Sequence, residues 1–213
     1  MDDMTTASAE TTADLEPSAD LKGRAPGRPR SAKADEAIMS AVIDLLSEGQ
    51  AGSALSMEAV AARAGVGKAT IYRRWPNKEA MLIDAVRTMK GPPVRPPGES
   101  VRGDLIALAS ANRGKRMEAY GKVTACLLPD LLRDEELRAA FAAVMEPRRN
   151  LTREVLRRGI ANGELRADLD VELSLLMLTA PIMVQNWLNW NPNVPHEGFA
   201  EVLVDAFLRG AAA

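Results

Sequence analysis

The sequence predicts an all-α protein of about nine helices, and three observations carry that prediction. Apolar residues recur at helical spacing along most of the chain: Ile38, Val42, Leu45 and Leu46; then Leu82, Ile83, Val86 and Met89; then Leu137, Phe141, Val144, Leu151, Val155 and Ile160. The composition agrees, since 46% of the residues are apolar but only 4% aromatic, which leaves a chain rich in helix formers. No run alternates Val, Ile, Thr and aromatics with polar residues as a half-buried strand does.

A length of 213 residues suffices for one large or two small domains. The net charge of -2 hides an asymmetry: residues 1–21 carry six acids and no base, whereas residues 22–90 carry twelve bases and seven acids. A positive segment of that kind points to a polyanionic partner. Cys126 is the one cysteine and His196 the one histidine, so neither a disulfide nor a metal cluster is expected, and no cofactor. The chain has no P-loop, no Gly-x-Gly-x-x-Gly run and no Gly-x-Ser-x-Gly elbow, and it is not expected to be an enzyme. Its first residues are acidic rather than basic and then apolar, and its longest apolar stretch, Val171 to Trp190, is interrupted by Glu172, Gln185, Asn186 and Asn189. Neither a signal peptide nor a membrane span is expected, and a cytoplasmic location follows.

Taken in order, residues 1–21 are poor in apolar side chains and charged with one sign, a composition that stays disordered. Residues 22–33 form a basic arm with two prolines and two glycines, in which Arg28 and Arg30 flank Pro29. Such a segment fits a minor groove, although a solvated basic tail would carry the same residues. The first helix is expected from Ala34 to Glu48, with Gly49 ending it. Ser56 caps the next helix, which Glu58 favours through the dipole and Gly65 terminates with a positive φ. After this sharp turn a short helix from Lys68 to Arg74 turns Ile71 and Trp75 inward. Its outward face is then Lys68, Ala69, Thr70, Tyr72 and Arg73, a polar, aromatic and cationic surface suited to a major groove. Pro76 stops it, and Asn77 begins a fourth helix whose first amides, with Lys78 beside them, form a phosphate site.

The run A-x-x-A-G-V-x-K-A-T-I-Y-x-x-W-P-N-K-E-A, from Ala61 through Ala80, resembles the TetR family of bacterial transcriptional regulators. Gly67 departs from the family, which more often places a capping Ser or Thr there, and Arg74-Trp75 stands where His-Phe is common. The resemblance implies a three-helix helix-turn-helix DNA-binding domain at residues 34–90, a fourth helix that transmits a ligand signal, and a helical ligand-binding and dimerisation body. On this reading Lys68, Ala69, Thr70 and Tyr72 meet the groove, Ala69 against a thymine methyl, Arg73 and Lys78 meet phosphates, and Arg28 and Arg30 enter the minor groove.

Gly91 to Gly98 holds four prolines in eight residues and excludes a helix, so the body is placed at residues 98–213. Helices are expected from Ser100 to Arg113, from Lys115 to Leu128, from Asp134 to Ala161 with a kink or brief break at Pro147, after Asp170, and from His196 to Arg209. The last two are apolar on more than one face. Packing within a monomer would produce that pattern, and so would a four-helix interface in a homodimer, which is how the resembling family dimerises. Met117, Tyr120, Cys126, Phe141, Met145, Met177, Met183 and Trp187 are the candidates for a cavity that takes a small apolar or amphipathic ligand, and plain core packing would use the same residue types. Pro181 frees the carbonyl of Met177 for a ligand or water. The expected function is a sequence-specific transcriptional regulator, a ligand-responsive repressor acting as a homodimer on a double-stranded, pseudo-palindromic operator. The alternative is a ligand-independent DNA-binding module with a structural or protein-interaction role.

Overall fold

The structure, a computed structural model, describes residues 30–111, 115–194 and 197–211. Among these residues there are nine α-helices, one 3-10 turn at Gly52–Ala54, and no strand. The acidic segment 1–21 and the greater part of the basic arm, Arg28 included, lie outside the described residues, as does His196.

α1 (Arg30–Ser47) packs against α2 (Met57–Ala64), α4 (Lys78–Lys90) and α6 (Lys115–Arg133). Its buried stripe is Ile38, Val42, Leu45 and Leu46, at the spacing the sequence set. The helix begins at Arg30 rather than Ala34, so Arg30 and Lys33 belong to its first turns and not to an extended arm. α3 (Lys68–Tyr72) is shorter than expected and gives way to turns at Arg73 and Arg74. Residues 91–98 carry no helix, as their prolines require.

In the body, α7 (Glu135–Ala161) and α8 (Val171–Leu188) pack on α6 and on each other, and α5 (Val101–Ser110) and α9 (Phe199–Ala211) pack together against α7 and α8. The helix end expected at Leu128 does not occur, and neither does a break at Pro147. α6 continues through Pro129 to Arg133 instead of ending at Leu128, and α7 runs unbroken through Pro147. In each case buried residues on both sides of the proline, Leu127 and Leu131 in α6 and Val144 and Leu151 in α7, hold the helix in register. Tertiary packing thereby outweighs a local penalty of about 3 kcal/mol. At Pro147 the Arg148 side chain also donates to the Val144 carbonyl, 3.3 Å away.

One core runs from α1–α4 without interruption onto α6 and the first half of α7, through Val123, Leu127, Leu137 and Phe141. A second core joins α5, the later part of α7, α8 and α9 through Leu105, Leu156, Leu178 and Val204. α6 and α8 cross at Gly121, where a Cβ would stand 2.1 Å from the Asn186 carbonyl oxygen. Only glycine permits backbones that close. Asp104, 1% exposed, ties α5 to α7 by accepting from Arg158 and from the Gly98 amide. Arg153 pairs with Glu172 through two bonds of 2.7 and 2.9 Å and so fixes the start of α8 to α7.

Candidate nucleic-acid interface and body cavity

Local sequence builds the reader. Ser56 Oγ accepts from the Ala59 amide at 3.1 Å and starts α2, whose Met57, Val60 and Ala61 are buried. Gly65 follows with φ 65° and ψ 33°, the left-handed conformation that turns the chain toward α3. Gly67 precedes α3 without a side-chain capping bond. Ile71, fully buried, and Trp75, 7% exposed, anchor α3 and its exit from below. The Trp75 indole donates to Asp84 of α4 at 3.2 Å, and Arg74 pairs with Asp35 of α1 while donating to the Thr70 carbonyl at 2.8 Å.

The opposite face of α3 is open. Lys68, Ala69, Tyr72 and Arg73 are exposed and Thr70 is half-buried. Arg73 donates to the Thr70 hydroxyl at 3.3 Å, which steers its guanidinium along the helix. Lys68 pairs with Glu58 of α2; the hydrogen bond to Glu58 raises the lysine pKa and lowers that of the carboxylate. Such an exposed pair is worth little and exchanges readily for a phosphate. Lys78 donates to the Ser53 carbonyl at 3.0 Å, which uses one of its three donors and holds it beside the first turn of α4. There Asn77 caps the helix by accepting from the Ala80 amide at 2.8 Å. Arg30 is the first residue of α1, and its side chain lies outside the described residues.

A second feature lies in the body, a cavity of about 370 Å³ walled by α4, the 91–98 segment, the C-terminal end of α5, α6, α7 and α8. Six of the eight candidate lining residues meet there: Met117, Tyr120, Phe141, Met145, Met183 and Trp187. Cys126 does not; its thiol donates to the Leu46 carbonyl at 3.4 Å, in the joint between α1 and α6. Nor does Met177, which is 52% exposed on the outer side of α8, so it and Pro181 are absent from the cavity wall. The polar members of the wall, among them Lys90, Arg148, Arg149, Thr152, Thr179 and Asn186, went unrecognised in the sequence. Lys90 ends α4 and reads locally as a cation on a helix C-terminus, while Arg148 and Arg149 sit in a charged run that reads as surface. In the fold, the Lys90 ammonium lies 4.1 Å from the centre of the Tyr120 ring and 3.8 Å from the Met117 sulfur. Burial, and then the nearby Arg148 charge, push its pKa down to about 8. Burial likewise pushes the Tyr120 phenol up.

A helix-turn-helix reader with an open cationic face, joined through one continuous helix to a helical body with a largely apolar cavity, defines a DNA-binding regulator. Residues 46–85 match the family described as bacterial regulatory proteins, tetR family, and residues 95–207 match the tetracyclin repressor-like, C-terminal domain. The chain is 35% identical over 159 residues to the uncharacterized HTH-type transcriptional regulator YdeS of Bacillus subtilis (strain 168), covering 73% of this chain and 79% of that one. This protein belongs to the TetR family of transcriptional regulators. Among solved structures, the fatty acid degradation regulator FadR from Bacillus halodurans shares the fold with a TM-score of 0.66 at 22% identity, over 82% of this chain and 98% of that one. NalD, the secondary repressor of the MexAB-OprM multidrug efflux pump in Pseudomonas aeruginosa, does so with a TM-score of 0.67 at 22% identity, over 86% and 98%.

Proposed function

We propose that this regulator is a cytoplasmic, ligand-responsive repressor that binds a pseudo-palindromic operator as a homodimer. The observation that carries the reading is the course of α4. Its Asp84 accepts from Trp75 at the end of the recognition helix, and its last residue, Lys90, stands in the cavity wall. A guest that reseats the C-terminal end of α4 therefore moves the recognition helix, and in a dimer it alters the spacing of the two readers. A small apolar or amphipathic molecule suits the wall of Met, Phe and Trp side chains.

In this reading residues 34–90 are the DNA-binding domain and residues 98–213 the ligand-binding and dimerisation domain. Lys68, Ala69, Thr70 and Tyr72 enter the major groove, Arg73 and Lys78 hold phosphates, and Arg28 and Arg30 reach the minor groove. The outer face of α8 supports the homodimer: Leu173, Leu176, Met177 and Leu188 are each more than half exposed and share one helical stripe. α8 has the length and composition of a membrane-crossing helix, yet its other face packs into the body core through Leu175, Leu178 and Ile182. A self-complementary stripe of this kind is what a two-fold interface requires. The test is operator binding, on DNA upstream of the protein's own gene, in the presence of ten-carbon amphiphiles with neutral, anionic and cationic headgroups. Release by any one of them supports the reading. An operator affinity that none of them changes contradicts ligand response.

A further inference from the structure

The open face of α3 is cationic, and the chain carries a polyanion of its own close by. Lys68 and Arg73 are exposed there, with Lys78 half-buried beside them, and the stretch from Lys68 to Trp75 contains no carboxylate. A carboxylate from elsewhere already stands on this face, since Glu58 of α2 pairs with Lys68 as a phosphate would. Residues 1–21 carry Asp2, Asp3, Glu10, Asp14, Glu16 and Asp20 and no base. That segment leads, through residues 22–29, to Arg30 at the start of α1. Asp35 of α1 pairs with Arg74, which also donates to the Thr70 carbonyl of α3 at 2.8 Å. The start of α1 therefore lies against the C-terminal end of the recognition helix, and Arg30 is only about 7.5 Å of helix from Asp35. Residues 22–29 span about 26 Å when extended, well beyond the roughly 7.5 Å length of α3.

Resting on the reading of this face as the DNA surface, we propose that residues 1–21 dock on the open face of α3 as an intramolecular polyanion, occupying the phosphate positions at Lys68, Arg73 and Lys78 until DNA displaces them. Charge complementarity and tethering carry the proposal. A segment joined through so short a link meets the face at an effective concentration on the order of millimolar, so contacts that are weak singly become populated together. The basic arm, with Lys22, Arg24 and Arg28, is nearer in sequence, but the reader's cations are already positioned by the fold and need less ordering to receive an anion. Any DNA must then displace the tail, which weakens operator and random duplex by the same factor. An operator adds base contacts at Ala69, Thr70 and Tyr72 to its phosphate contacts, so its complex stays populated under conditions where complexes held by phosphates alone do not.

The test uses the full chain and a variant of the same length in which the acids are neutralised: Asp2→Asn, Asp3→Asn, Glu10→Gln, Asp14→Asn, Glu16→Gln and Asp20→Asn. Both are titrated with a random-sequence duplex at two salt concentrations. The wild type is also treated with a carbodiimide, which condenses a carboxylate with an adjacent lysine amine into an amide that peptide mass spectrometry locates. The variant should bind the duplex about tenfold or more tightly at the lower salt, with a steeper salt dependence and an unchanged melting temperature. In the wild type, amides should join the tail acids to Lys68 or Lys78, and excess duplex should suppress them. Tail amides confined to Lys22 or Lys33 would place the acids on their own arm and overturn the proposal. A variant that binds more tightly although the wild type forms no tail amide at all would mean repulsion at a distance without docking, and equal, measurable duplex affinities would overturn the proposal as well. If amides to Lys68 or Lys78 form while neither protein binds DNA, docking stands and the reading of the face as the DNA surface fails.

Discussion

Lys90 illustrates how one side chain can be locally ordinary and globally expensive. At the end of an isolated helix it would complement the dipole and reach into water. Here the stem folds back over the Tyr120 ring, which returns part of the lost hydration as a cation–π contact but leaves the pKa near 8 instead of 10.5. Between those two pH values the folded protein has released a proton that the unfolded chain keeps, so stability rises with pH there, and below about 8 the full cost is present. Lys90→Met should accordingly raise stability at neutral pH by on the order of 2 kcal/mol, a figure reduced for the contact with Tyr120. Thermal melts from pH 7 to 10 check this: the gain over wild type should shrink steadily above pH 8, whereas a constant gain would mean that the lysine is not desolvated.

Among the elements, α2 and the turn after it were fully legible, because capping and turn chemistry are local. Ser56, Gly65 and Asn77 each do in the fold what their residue type dictates. The prolines were misleading for the opposite reason: Pro129 and Pro147 weaken their helices locally, but buried leucines and valines on either side come from packing that a single stretch of sequence does not display. The same distinction divides the cavity. Its Met and aromatic members announce themselves by type, whereas Lys90 and Arg148 enter it only because α4 and α7 meet, and Met177 misses it because α8 turns that residue outward. Gly121 gave no local signal either, yet it sets the α6–α8 crossing that forms one wall. Gly121→Ala must push the Asn186 backbone away, and it should cost about 1–3 kcal/mol of stability, read as a lowered denaturation midpoint. A neutral effect would mean that the two helices separate freely.

For the whole molecule, the continuity of the core from α1–α4 onto α6 and α7 matters more than the proline-rich break in the chain. A reader that shares its core with the cavity wall transmits a change of occupancy through packed side chains. In the proposed homodimer the exposed stripe of α8 would supply the other requirement, since one five-residue recognition helix offers few base contacts and a second copy doubles them. Leu176→Glu, which places a charge at a position 59% exposed in the single chain, should leave the fold intact and yield a monomer in sedimentation equilibrium, with operator affinity reduced at least tenfold. A variant that remains dimeric would place the interface elsewhere.

The central claim, specific operator recognition by the open face of α3, is tested most directly by footprinting and titrating the DNA upstream of the protein's own gene. Wild type should be compared with Tyr72→Ala at two salt concentrations. The account predicts a short, two-fold symmetric protected site at both salts, and a loss of about 1–3 kcal/mol for the variant with an unchanged melting temperature, because Tyr72 is 48% exposed. Equal binding of wild type and variant to any DNA, abolished by salt, would contradict it and leave the reader as an electrostatic anchor alone.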